Sequence, residues 1–319
     1  MAGGGNKAVV AALLANGGIA ITKFAAWALT SSASMLAEAI HSTADCGNQV
    51  LLLVGGKRAK RAADELHQFG FGRERYVYSF IVSIVLFSVG GLFALYEGYH
   101  KVHEPHGIDS WKWVPVAVLV IAIVMESFSF RTAIVEANKL RGNVSWVRFV
   151  RNARAPELPV ILLEDFAALT GLVLALIGVV LTLATGNGVF DGLGSMAIGA
   201  LLVCVAIFLA IEMKSLLLGE SATRDAQQRI VAAIENTAGV QRLIHIKTLH
   251  LGPEEVLVAA KLAVEPTTDA AVVAETIDAV ERAVRAAEPM SVHIYLEPDV
   301  YVENHVTDPR PAVPEAPSH

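Results

Sequence analysis

The sequence predicts an α-helical membrane protein, six transmembrane helices followed by a small cytoplasmic ferredoxin-like αββαβ domain. Three observations carry this. The 319 residues are 54% hydrophobic and 18% charged, with mean hydropathy +0.51, too apolar for an ordinary soluble domain. Six apolar stretches, at about 8–29, 34–56, 77–99, 113–135, 159–184 and 190–214, reach the ~20 residues that cross ~30 Å of hydrocarbon. After Glu220 the pattern turns to short helical and alternating runs.

The first stretch begins near Ala8 and runs past Ala26 without a good cleavage site, so it reads as a span and not as a signal peptide. The connection after the second stretch carries Lys57, Arg58, Lys60, Arg61, Arg73 and Arg75, and that after the fourth carries Lys139, Arg141, Arg148, Arg151 and Arg154. The alternate connections, Thr30 to Ser32, Lys101 to Lys112 and Thr185 to Val189, are short or poor in Lys and Arg. Both termini are therefore expected in the cytoplasm. Residues 1–219 form the expected transmembrane domain and 220–300 an α+β dimerisation domain. Within the latter, Arg224–Thr237 and Asp269–Ala287 have helical spacing, while Arg242–His250, Val256–Glu265 and Ser291–Glu297 alternate. The order αββαβ suggests helices over one face of an antiparallel sheet. Residues 301–319, with Pro309, Pro311, Pro314 and Pro317, read as a disordered tail.

Sixteen acidic and 8 basic residues lie from Glu220 onward, so the formal charge of −6 belongs to the C-terminal part. That balance argues against nucleic acid as a partner and suits a solvated domain that meets cations. Cys46 and Cys204 lie in apolar stretches without CxxC spacing, which excludes a zinc finger or a disulfide framework and suggests packed thiols. No phosphate-binding P-loop is present, and no Ser or Cys stands in a nucleophile pattern beside a base, so neither ATP hydrolysis nor an intramembrane hydrolase is expected, and no cofactor.

The second stretch contains Ala37-Glu-Ala-Ile-His-Ser-Thr-Ala-Asp-Cys-Gly-Asn48. On a helix His41 and Asp45 lie about 40° apart, with Asn48 about 20° from His41, so the segment presents one polar seam. Imidazole and carboxylate one turn apart suit a divalent cation, and an ionisable group inside a membrane marks a pathway more often than glue between helices. The fifth stretch adds Glu164-Asp165. Adjacent residues point about 100° apart, so Asp165 is expected to face the ion with Glu164 as helper. Glu126, Ser127, Ser129 and Arg131 interrupt the fourth stretch and Lys23 the first, where interfacial or paired charges are the expectation. His100, His103 and His106 cluster on the connection beyond the third, as a collecting surface for metal or as solvated polar sequence. The glycines and Ser195 of the last two stretches signal close helix packing.

Taken in order, Ala37-Glu-Ala-Ile-His-Ser-Thr-Ala-Asp45, His67-Gln-Phe-Gly-Phe-Gly-Arg73, Asp165 with Gly171 six residues on, and Leu217-Leu-Gly-Glu-Ser-Ala222 resemble the cation diffusion facilitator family of divalent-metal transporters, over residues 8 to about 300. The Glu164-Asp165 pair is most similar to the branch that holds the mitochondrial and nuclear member of the animal zinc transporters. The resemblance implies a homodimer that exports divalent cations, zinc foremost and manganese, iron or cadmium besides, by exchange for protons. A non-transporting scaffold or sensor of the same fold is the alternative. It implies a transport site of His41, Asp45 and Asp165, with Ile161 where the family has a fourth ligand. Glu164 is the substitute, making the site richer in oxygen and better suited to manganese or iron. A loop site is implied at Asp64 and His67, with Phe71 in place of a second histidine. In the soluble domain the family's metal positions fall on Ile244, Ala260 and Tyr295, none a ligand; Glu297 keeps a carboxylate, and His245, His250 and His293 lie nearby.

Overall fold

The computed structural model describes residues 3–105 and 111–302. The chain divides into one compact unit ending at Leu218 and a second beginning at Gly219.

The first unit is helical: α1 (Gly3–Thr30), α2 (Ala33–Arg58), α3 (Glu74–His103), α4 (Trp113–Arg141), α5 (Trp146–Asn152), α6 (Glu157–Thr185) and α7 (Val189–Leu218). Among the described residues, α3, α4, α6 and α7 are long and apolar enough to cross a membrane, four helices where the sequence predicts six. α1 and α2, at 28 and 26 residues, are long enough at ~1.5 Å per residue, but the polar seam of α2 removes its apolar signal. The short helix α5 lies in the connection that carries Arg148 and Arg151; Ser145 caps it by accepting from the Arg148 amide. His100 and His103 lie in the last turn of α3 and not in a loop, with Tyr96 and Tyr99 against their rings, and His106 lies outside the described residues.

Small residues set how closely these helices approach. A methyl group on Gly98 would stand 2.6 Å from the Met196 amide of α7, and one on Gly199 would stand 2.7 Å from the Leu95 amide of α3. α3 and α7 therefore touch backbone to backbone, as close packing of membrane helices requires. Just before these contacts α3 widens into a π-helical stretch, Leu86–Leu92, a feature frequent beside functional sites. The core is filled by Met35, Leu86, Leu119, Leu172, Ile198, Leu202 and Leu209. Cys204 departs from expectation: it is exposed on α7, and both cysteines are free.

The second unit runs α8 (Arg224–Glu235), β1 (Arg242–Gly252), β2 (Glu255–Ala263), α9 (Ala270–Ala287) and β3 (Ser291–Asp299). Thr223 and Asp269 cap the two helices by accepting from Ala226 and Ala271 amides. The sheet order is β1-β2-β3; β1 pairs antiparallel with β2, but β3 pairs parallel with β2, so the sheet is mixed and not antiparallel as expected. The reason is that α9 crosses over between β2 and β3, which returns the chain in the same direction. Ile230, Ile234, Val280 and Val284 of the helices pack on Val256, Val258, Ala260 and Leu262 of β2. The tail from residue 303 lies outside the described residues.

Candidate functional site

The N-terminus of α2 is fixed first. Its leading amides have no partners within the helix, and the carboxylate of Asp191 on α7 supplies them: Ala33 N–H donates at 2.7 Å, Ser34 N–H at 3.2 Å and the Ser32 hydroxyl at 2.9 Å. Asp191 is fully buried. The Lys101 ammonium donates to the Ser31 carbonyl beside it, at 3.1 Å.

One turn and more along α2 comes the buried seam. Glu38 and Ser42 both accept from the Lys23 ammonium of α1, at 2.9 and 2.7 Å. His41 is 1% exposed, and neither ring nitrogen has a hydrogen-bond partner among the described residues. Its Nε2 stands 3.6 Å from Asp45 Oδ2, beyond a hydrogen bond but close enough to share an ion. Gly90, in the π-helical stretch of α3, lies beside the ring: a methyl group on it would stand 3.8 Å from His41 Nδ1, at ordinary contact distance. Further along, Asn48 Nδ2 donates to Glu164 Oε1 of α6 at 2.7 Å.

The acidic pair on α6 is the reverse of the sequence expectation. Glu164 is the buried member, turned to α2, whereas Asp165 is half-buried and accepts from the Ser129 hydroxyl of α4 at 3.0 Å. The step of about 100° between neighbours forces one carboxylate toward each helix. Ile161 is 36% exposed, on the open side of α6. Glu126 of α4 is within electrostatic reach of Asp165, Asp45, Lys23 and His41, so four helices direct charged groups toward one region. No three His, Cys, Asp or Glu side chains among the described residues converge closely enough, as they stand, to hold a metal ion. His41 and Asp45 stand together, with Glu164 and Asp165 each engaged elsewhere.

Sequence reasoning missed the Lys23–Glu38–Ser42 cluster and the Asp191 cap. The signal for the first was present: Glu38 and Ser42 flank His41 at helical spacing, and Lys23 lies at matching depth in the preceding apolar stretch.

Between α2 and α3, Asp64 Oδ1 accepts from the His67 amide at 2.7 Å and stands 3.0 Å from His67 Nδ1. The His67 amide, foremost, holds the Asp64 carboxyl below the usual aspartate value. Phe71 packs on the His67 ring at 4.5 Å between centroids. This is a closed acid–histidine turn, with an aromatic ring on its remaining side.

In the second unit, Ala260 points into the helix-facing core, whereas Tyr295 is 57% exposed. The Lys261 ammonium pairs with Glu297 at 3.1 Å and with Asp299 at 2.8 Å. These carboxylates, Asp299 foremost, raise Lys261 above the usual lysine value. His250 is buried with Nδ1 3.2 Å from the Gly252 carbonyl.

The family model described as the cation efflux transmembrane domain matches residues 9–218. The human protein named proton-coupled zinc antiporter SLC30A9, mitochondrial, is 36% identical over 254 residues, 78% of this chain and 44% of that one. Metal tolerance protein C4 of Arabidopsis thaliana is 30% identical over 77% of this chain and 54% of its own. The chain thus spans about half the length of these relatives. A solved nickel form of the MamM CTD covers 25% of this chain and all of that one, at 22% identity and TM-score 0.24.

Proposed function

The chain is a multi-pass membrane protein that belongs to the cation efflux family, and on that premise we propose that it is a secondary transporter exporting a divalent metal cation from the cytoplasm in exchange for protons. Zinc is the first substrate, in keeping with the relatives named as zinc antiporters, and manganese, iron and cadmium are the further candidates. The observation that carries this reading is His41: a fully buried imidazole, both nitrogens without a hydrogen-bond partner among the described residues, 3.6 Å from a carboxylate one turn on.

His41 and Asp45 are the first ligands. Asp165 joins when it exchanges Ser129 for the ion, and Glu164 when it exchanges Asn48. Metal and protons compete for the same lone pairs, so loading releases protons and protons arriving from the far side displace the metal. Rocking of helices about a fixed site near mid-membrane alternates its exposure. Six spans, both termini in the cytoplasm, a dimerising second unit and an auxiliary loop site at Asp64 and His67 belong to the same reading.

The test is zinc flux into liposomes carrying the full chain, under an imposed pH gradient. Asp45→Asn and His41→Gln abolish it; a folded variant of either that carries zinc at the parental rate overturns the site. The scaffold alternative, favoured by the incomplete ligand set, requires zinc binding without flux by the parental chain.

A further inference from the structure

The mechanism above leaves the Lys23–Glu38–Ser42 cluster unused. Lys23 and Glu38 are both buried, on neighbouring helices, and their ion pair is 2.9 Å long. A buried ion pair is a poor source of stability compared with apolar residues of the same volume, and ionisable groups inside membranes mark pathways. Two details point beyond gluing helices. Glu38 Oε1 has no hydrogen-bond partner among the described residues, although the side chain is wholly buried. The space before that oxygen exists because α6 has no side chain there: a methyl group on Gly171 would stand 2.9 Å from it.

Glu38 precedes His41 by three residues, ~4.5 Å along the helix axis, on the side of Ala33 and away from Lys57 and Arg58. Under the transport reading, on which this inference rests, that is the exit side. An ion leaving His41 and Asp45 outward therefore meets Glu38 next. We propose that Glu38 is a second, transient divalent-cation site on the exit path, and that Lys23 is its tethered cation, filling the site whenever no metal is there. The ammonium neutralises Glu38 in the resting state and repels a second divalent ion while the first is bound. On exit the metal takes the Glu38 oxygens, and Lys23 keeps the Ser42 hydroxyl as its remaining partner. Lys23 is within electrostatic reach of both His41 and Asp45, so its charge acts on the main site as well.

The full chain is studied with zinc alone as probe. In Lys23→Gln, equilibrium dialysis finds one more zinc per protomer than in the parent, because Glu38 is no longer filled. In Glu38→Gln and in the double variant Lys23→Gln/Glu38→Gln, zinc flux falls at least ~10-fold, and in the double variant, which removes both charges together, zinc affinity at His41 and Asp45 stays within about threefold. A merely structural pair behaves otherwise: the double variant removes both charges, folds, and carries zinc at the parental rate. That result overturns the proposal, as does Lys23→Gln binding no additional zinc, which decides the matter even where Glu38→Gln does not fold. Failure of the transport reading is separate, since it appears as absent flux in the parent and leaves the zinc stoichiometry of Lys23→Gln as the test of Glu38.

Discussion

Asp191 offers the sharpest stability test, because its work is countable. Its carboxylate takes the Ala33 and Ser34 amides and the Ser32 hydroxyl, and no solvent reaches it. Asp191→Ala strands two backbone N–H groups at a helix N-terminus, each worth ~1–3 kcal/mol when buried without a partner, and removes a negative charge from the positive end of α2. The expected loss is about 4 kcal/mol. Asp191→Asn keeps one acceptor oxygen of nearly the same shape but turns its amide toward the donors, so it loses about half as much, ~2 kcal/mol. Unfolding of the purified chain in mixed micelles, followed by circular dichroism, ranks parent, Asn and Ala in that order. Ser195→Ala serves as the reference, since it removes one buried hydroxyl bond, to the Ala94 carbonyl at 3.0 Å, and costs about 1 kcal/mol. Ala and Asn variants both within ~0.5 kcal/mol of the parent would show that α2 is not held at this end by Asp191.

Asp165→Asn should lose zinc flux with little loss of stability, since Ser129 still has an acceptor; flux assay and thermal midpoint together check it, and parental flux removes Asp165 from the site. Ile161→His with Glu164→Gln restores a second nitrogen ligand, so competition assays should shift from manganese and iron toward zinc and cadmium; an unchanged ranking means that neither residue faces the ion. A cysteine at Arg61 or Arg148 should be labelled only from the cytoplasmic side, and labelling from the other side reverses the direction of transport. At the Asp64 turn, a carboxyl held below its usual value adds stability that is fully present above the unfolded pKa and lost as pH falls through the folded one; the His67 amide resonance should therefore move on acidification.

The helical unit was legible because apolar runs and basic connections are one-dimensional signals, and the αββαβ order because its alternation is local. The strand directions were not. Alternation fixes which face of β3 is buried but carries no sign for parallel or antiparallel pairing, which depends on how α9 crosses the sheet. The site divides in the same way. The His41–Asp45 spacing is a property of one helix and could be read directly, whereas the partners of Glu164 and Asp165 are set by how α2 and α4 pack on α6. Glu297 looked like a spare ligand for a similar reason, because its neighbour Lys261 sits on another strand.

The polar seam also explains which of its members are open to an ion. A helix bearing Glu38, His41, Ser42, Asp45 and Asn48 gains little from an apolar environment, so it must be held by bonds to other helices. Those bonds occur at three depths: Asp191 at the N-terminus, Lys23 at Glu38 and Ser42, and Glu164 at Asn48. His41 lies between Glu38 and Ser42, and Asp45 between Ser42 and Asn48, and for neither does a hydrogen bond to another helix stand among the described residues. The bonds above and below keep the seam in place without drawing on this pair. Had His41 bonded Glu164, or Asp45 bonded Lys23, an incoming cation would have to break a bond that also holds α2 in register. On the proposed transport reading the Asp191 cap is the anchor that stays intact throughout, since Glu164 gives up Asn48 as the ion loads and Glu38 gives up Lys23 as it leaves.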